Sequence, residues 1–194
     1  MKIKILGYVL LSASLICGLL FADAKEDQNK AMMEAMMKAG APGPQHKFLS
    51  QMEGTWKTTV KSYMDPSAPP DVTVVSCVQK MVMGGRFLQQ QCTGEMMNAP
   101  WEGSGLTGYD NLKQKYIATW ADNWGTGIMM SEGTETEPGK AITLTGQMQD
   151  PMMGAMQIRE ILRVVSDKQH VFEMYTTGKD GKEVKMMDIT YDKQ

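Results

Sequence analysis

From Trp56 onward, turn signals interrupt the chain every eight to twelve residues or so, and nothing between them is long enough to supply a helical layer. They fall at Asp65-Pro66 through Pro69-Pro70, Gly84-Gly85, Asn98-Ala99-Pro100, Asp110-Asn111, Asn123 to Gly125, Pro138-Gly139, Asp150-Pro151, Ser166-Asp167 and Gly178-Lys179-Asp180-Gly181. Ten strands fit between these points. Such spacing favours a meander over a parallel α/β sheet. An open sheet of ten strands would leave two unprotected edges, so the sheet should close on itself. The expected fold is all-β: an antiparallel up-and-down β-barrel of about ten strands, preceded by a short N-terminal helix.

Strand periodicity supports this. Ile142, Leu144 and Met148 alternate with Thr143, Thr145 and Gln147, and Tyr116, Ala118 and Trp120 alternate with Ile117, Thr119 and Ala121. At the front, His46 to Glu53 forms an amphipathic run that leads into Gly54-Thr55-Trp56. This reads as a short plug at one barrel end, a glycine for the tight handover to the first strand, and a tryptophan closing the floor.

Ahead of the plug, residues 26–39 are rich in Ala, Met, Lys and Glu; Asp27 can cap their start, and Gly40 with Pro42 ends them. A helix is expected there, followed by a stiff Ala41-Pro42-Gly43-Pro44 linker. The domain plan is a signal peptide over residues 1–24, a helix and linker over 25–43, and the barrel over 44–194. Residues 1–24 carry Lys2 and Lys4, an apolar run from Ile5 to Phe21, and Ala22-Asp23-Ala24, the small-x-small pattern of a cleavage site. The run is short for a membrane span, and the branched Ile16 before Cys17 argues against lipoprotein processing. Export to the periplasm or beyond is expected, with no stable membrane anchor after cleavage and Lys25 as the first mature residue.

Loss of Lys2, Lys4 and Asp23 removes one net positive charge, so the overall −2 becomes −3. No basic stripe is present, and nucleic acid is not an expected partner. Two cysteines survive cleavage. If Gly84-Gly85 is a two-residue turn flanked by Met83 and Arg86, counting outward sets Cys77 opposite Cys92. Opposed positions in an antiparallel ladder suit a disulfide in an oxidising compartment, with two buried free thiols as the alternative.

The motifs Met83-Gly84-Gly85-Arg86-Phe87-Leu88, Gly105 to Asp110, Lys115 to Asp122, Ser131-Glu132-Gly133 and Lys185 to Tyr191 together resemble the family known as domain of unknown function 1579, over roughly residues 43 to 192. That family implies no activity. Gly54-Thr55-Trp56 and the strand count are also similar to the calycin superfamily, which includes lipocalins, fatty-acid-binding proteins and haem-binding nitrobindins. The likeness implies an interior pocket for a small apolar molecule, with a late basic residue over Trp56; Arg159, Arg163 and Lys193 are the candidates. It also makes a haem ligand of His170 conceivable, although a histidine beginning a strand at a turn ordinarily faces solvent.

Twenty methionines stand against four Phe, four Trp and six Tyr. Thioethers fill gaps in cores, and they also suit soft metals. Met32, Met33, Met36 and Met37 form one helical stripe, a packing face or, as the alternative, a Cu(I) site; Met152, Met153 and Met156 are a second group. With two histidines, His46 and His170, zinc or paired-base chemistry is poorly supplied, and no nucleophile-elbow, P-loop or dinucleotide motif occurs. An enzyme is therefore disfavoured, and no resident cofactor is expected, with Cu(I) as the alternative. The expected pocket wall is Trp120 and Trp124, with Asp122 and Arg86 as polar contacts. A barrel whose interior is filled, serving a structural or interaction role, is the remaining alternative.

Overall fold

The computed structural model describes residues 25–64, 68–177 and 181–194. The expected signal peptide lies outside these residues. A first helix, α1, covers residues 25–39, and the chain divides into two compact units, one ending at Ala41 and the other running from Pro42 to Gln194. On α1 the four methionines of the stripe are 56–71% exposed.

The second unit begins with α2 (Pro44–Ser50) and continues through ten strands: β1 (Gly54–Ser62), β2 (Asp71–Val82), β3 (Phe87–Met96), β4 (Ala99–Asp110), β5 (Lys115–Asp122), β6 (Met129–Glu137), β7 (Ala141–Asp150), β8 (Gly154–Ser166), β9 (Gln169–Thr177) and β10 (Glu183–Lys193). Each strand pairs antiparallel with its sequence neighbours and β10 returns to β1, so the sheet is a closed up-and-down barrel. Closure leaves no free edge. The strands coincide with the intervals between turn signals.

The β2–β3 connection refines the sequence expectation. Met83, Gly84 and Gly85 all have positive φ, at 51°, 67° and 79°, and the loop is four residues long, closed by the Arg86 N–H bonding to the Val82 carbonyl. A loop of four centred on the same point preserves the register, so Cys77 faces Cys92. The two form a disulfide with Cα atoms 4.1 Å apart, buried inside the barrel.

The helix α2 stops one end of the barrel. Pro44 at its first turn lacks an N–H that would be orphaned there anyway, and the Gly43 N–H donates to His46 Nδ1 at 2.9 Å. Its buried face, Phe48 and Leu49, packs with Met52 against Leu88, Tyr116, Ile142 and Leu144. A second buried cluster of Trp56, Val60, Val75, Trp101, Tyr191 and the disulfide occupies the rest of the interior. The connections β2–β3, β4–β5, β6–β7 and β8–β9 surround the plugged end; the other five strand-to-strand connections surround the opposite end, here called the mouth.

Candidate functional site

The closed end is built around Trp56. Gly54 has φ 148°, a backbone state open to glycine, and a side chain there would crowd Lys193 Cε at 3.0 Å. That space lets Lys193, the register partner of Trp56, lie with Nζ 5.3 Å from the indole centre. Of the three basic candidates, Lys193 covers the tryptophan. The indole N–H donates to the Met52 carbonyl at 3.0 Å, tying the floor to the plug.

Behind the floor sits a buried polar group. His170 stacks on Tyr191 with centroids 4.1 Å apart and meets Trp56 edge-on at 4.4 Å. Gln79 Nε2 lies 3.3 Å from His170 Nε2 and donates to Gln90 Oε1 at 2.9 Å, while Gln90 Nε2 reaches the Tyr191 hydroxyl at 3.2 Å. Burial, reinforced by the Lys193 charge, pushes the His170 pKa down to about 3, so the ring is neutral. Burial raises Tyr191 to about 12. His170 is only 1% exposed, contrary to the solvent-facing position expected for it. Its Nδ1 has no hydrogen-bond partner among the described residues, but the ring is buried and enclosed by Tyr191, Trp56 and Gln79, so there is no room beside it for a haem and the residues present do not fit that group.

The mouth half differs from the plugged half. From mid-barrel to the mouth the register turns Met96, Trp120, Phe172, Met187 and Ile189 inward, yet all five are only partly buried. Trp101 and Trp120 stack with centroids 6.1 Å apart and planes 25° from parallel. Trp120 can lie flat against β4 because Gly103 and Gly105 have no side chains; a Cβ at either would run into the indole. Met148 faces Met156 and Met174 faces Met187 across their ladders, adding thioethers to the same lining.

One carboxyl group is buried in this interior. Glu160 is 3% exposed, and its Oε2 accepts a hydrogen bond from the Ser131 hydroxyl at 2.5 Å. The pair spans β7, from β6 to β8, where Gly146 leaves the surface clear. Burial raises the Glu160 pKa, with the Ser131 bond opposing the shift. Elsewhere, a hollow of about 310 Å³ lies on the outer wall, bounded by Ile117, Met130, Glu132, Thr145 and Gln157.

With barrel, plug and lining in view, the family profile for "Protein of unknown function (DUF1579)" matches residues 41–193. The chain belongs to the DUF1579 family. The matched stretch takes in the plug and every barrel strand. Among solved structures, Rv2717c from M. tuberculosis is similar at 16% identity and TM-score 0.55, covering 79% of this chain and 99% of that one. A redesigned β-barrel, b11L5F_LGL, gives 15% identity and TM-score 0.41 over 75% of this chain and 94% of its own. The structure of EF1p2_mFAP2b bound to DFHBI gives 11% and 0.42 over 77% and 98%. No curated protein matches the sequence.

In this DUF1579 barrel the residues expected to form the pocket separate. Trp120 and Asp122 stay together: the indole N–H donates to Asp122 Oδ2 at 3.2 Å, and both side chains face inward. Trp124 lies beyond the strand in the mouth loop, 53% exposed, with its backbone N–H bound to Asp122 Oδ1 at 3.1 Å. Arg86 is at the opposite end. It follows β2, its guanidinium bonds the Met83 carbonyl at 3.2 Å, and its charge, after burial, helps to lower the His46 pKa beside the plug. Arg86 and Asp122 therefore make no pair, a correction that loop parity alone could have supplied: in an up-and-down barrel the second and fifth connections sit at opposite rims.

The second methionine group is likewise divided. Met152 and Met153 occupy an exposed turn at 94% and 58%, whereas Met156 is buried within the barrel. Ser131 and Glu160 were not among the expected site residues, since their 29-residue separation and the strand between them leave no local pattern. No helix among the described residues is long and apolar enough to cross a membrane.

Proposed function

We propose that this DUF1579 protein is an exported binding or carrier module whose mouth half holds a small apolar molecule. The observation that carries the reading is the partial exposure of inward-facing Trp120, Phe172, Met96, Met187 and Ile189 from mid-barrel to the mouth. Side chains that point into a barrel and still touch solvent line a space that solvent can enter. Aromatic and thioether groups with a few fixed polar atoms are the usual lining of an apolar-ligand pocket, and methionine adapts to loosely defined shapes. The Cys77–Cys92 bridge supports the export part of the reading.

The test is a titration with a neutral apolar fluorophore, comparing the parent with Trp120→Ala. Removing the indole should weaken binding by about tenfold, since a large buried aromatic contact contributes on the order of 1–3 kcal/mol. Equal affinity in the two proteins would place binding elsewhere, and no binding by the parent would end the carrier reading.

A further inference from the structure

Resting on the pocket reading above, we propose that the molecule received by the mouth half is an organic cation, an apolar body carrying an ammonium group. The inward strand positions from mid-barrel to the mouth hold four carboxyl groups, Glu160, Asp122, Asp71 and Asp150, and no Lys or Arg. The basic side chains of these strands point outward; Arg159 pairs there with Glu183, Lys185 with Glu173 and Lys115 with Glu132, while Lys193 lies over Trp56 at the closed end.

Glu160 is the informative member. Burying a carboxyl with a hydroxyl as its hydrogen-bond partner and no facing base is costly, and the residues opposite it on β7 and β9 are Leu144 and Met174, neither of which titrates. An amide would satisfy Ser131 equally well. What a carboxyl adds is a proton that can leave to solvent when a cation arrives, setting a negative charge against the positive one.

The surroundings agree. Ser131 faces Ala118 across the β5–β6 ladder, two residues from Trp120, so the carboxyl and the stacked indoles line one interior. Indole faces attract cations, and the thioethers of Met148, Met156, Met174 and Met187 are polarizable neighbours. An alkyl carboxylate would instead meet, at the described inward strand positions, four acidic groups and no base. The lining selects against fatty acids and for ammonium amphiphiles.

Three alkyl probes of equal chain length, a trimethylammonium, an alcohol and a carboxylate, would be titrated into the full exported protein below their micelle concentrations by displacement of a neutral fluorophore. The ammonium probe should bind about tenfold or more tightly than the carboxylate, the scale of a charge-assisted contact. In Glu160→Gln most of that preference should vanish while alcohol binding stays within about twofold. Asp122→Asn, at the solvent-reachable rim, provides a second variant with a smaller effect in the same direction. Equal or tighter carboxylate binding by the parent would overturn the cation inference and leave the pocket intact. Failure of all three probes to bind would overturn the pocket reading itself. An ammonium preference unchanged in both variants would refute the role assigned to the two carboxyls.

Discussion

Two buried titrating residues give this barrel opposite responses to pH. Glu160 has a folded-state pKa raised above its ordinary 4.5 by burial, so the native state holds its proton more tightly than the unfolded chain. Its contribution to stability is full below about 4.5 and is lost as pH rises through the raised folded value. His170 works the other way: lowered from 6.5 to about 3, it contributes fully above 6.5 and loses that contribution as pH falls toward 3. Each slope is worth roughly 1.4 kcal/mol per pH unit within its window. Urea midpoints measured across pH should therefore show Glu160→Gln abolishing a loss on the rising side, and His170→Gln abolishing a loss on the acid side. A midpoint profile that neither substitution alters would mean that these groups titrate as they do in the unfolded chain. Neither role was legible in the sequence. His170 sits next to a turn and reads as exposed; its burial comes from Tyr191, its partner across the β9–β10 ladder, and from Trp56, which barrel closure brings beside it.

The strands themselves were legible, because turn chemistry is local. Gly-Gly, Asp-Pro, Pro-Gly and Asp-Asn pairs announce chain reversals regardless of what the barrel later encloses. Register could also be read wherever a short hairpin fixed it, as at Cys77 and Cys92, and the four-residue loop kept the same centre as the two-residue turn expected there. Pairings that cross an intervening strand, such as Ser131 with Glu160, or that close the barrel, such as Trp56 with Lys193, depend on shear and could not be read. The disulfide joins β2 to β3 across a separation of 15 residues. On the loop-entropy account a link of that size contributes about 3 kcal/mol. The Cys77→Ala, Cys92→Ala double variant should lose an amount of that order in urea denaturation while keeping its β-sheet circular dichroism. Unchanged stability would show that the β2–β3 ladder and the interior packing hold this hairpin without covalent help.

The unit from Pro42 to Gln194 is a sheet with no edge, stoppered at one end and lined with partly accessible apolar groups toward the other. Such a form suits a compartment without chaperoned refolding, since a closed sheet presents no strand for another chain to join. The charged start, apolar run and Ala22-Asp23-Ala24 of the sequence match a cleavable signal peptide, and on the proposed export reading the mature chain begins at Lys25. Intact mass of the protein from its native host should correspond to residues 25–194 with two hydrogens missing for the disulfide; a mass that still includes residues 1–24 would refute processing at this site. The glycines of β4 bear on the same whole. Gly103 and Gly105 recess the Trp120 indole into the barrel wall, so the bore of the mouth is set by two absent side chains. On the proposed carrier reading, a lineage could narrow or widen the bore by editing these two wall positions, tuning capacity while every lining side chain stays the same.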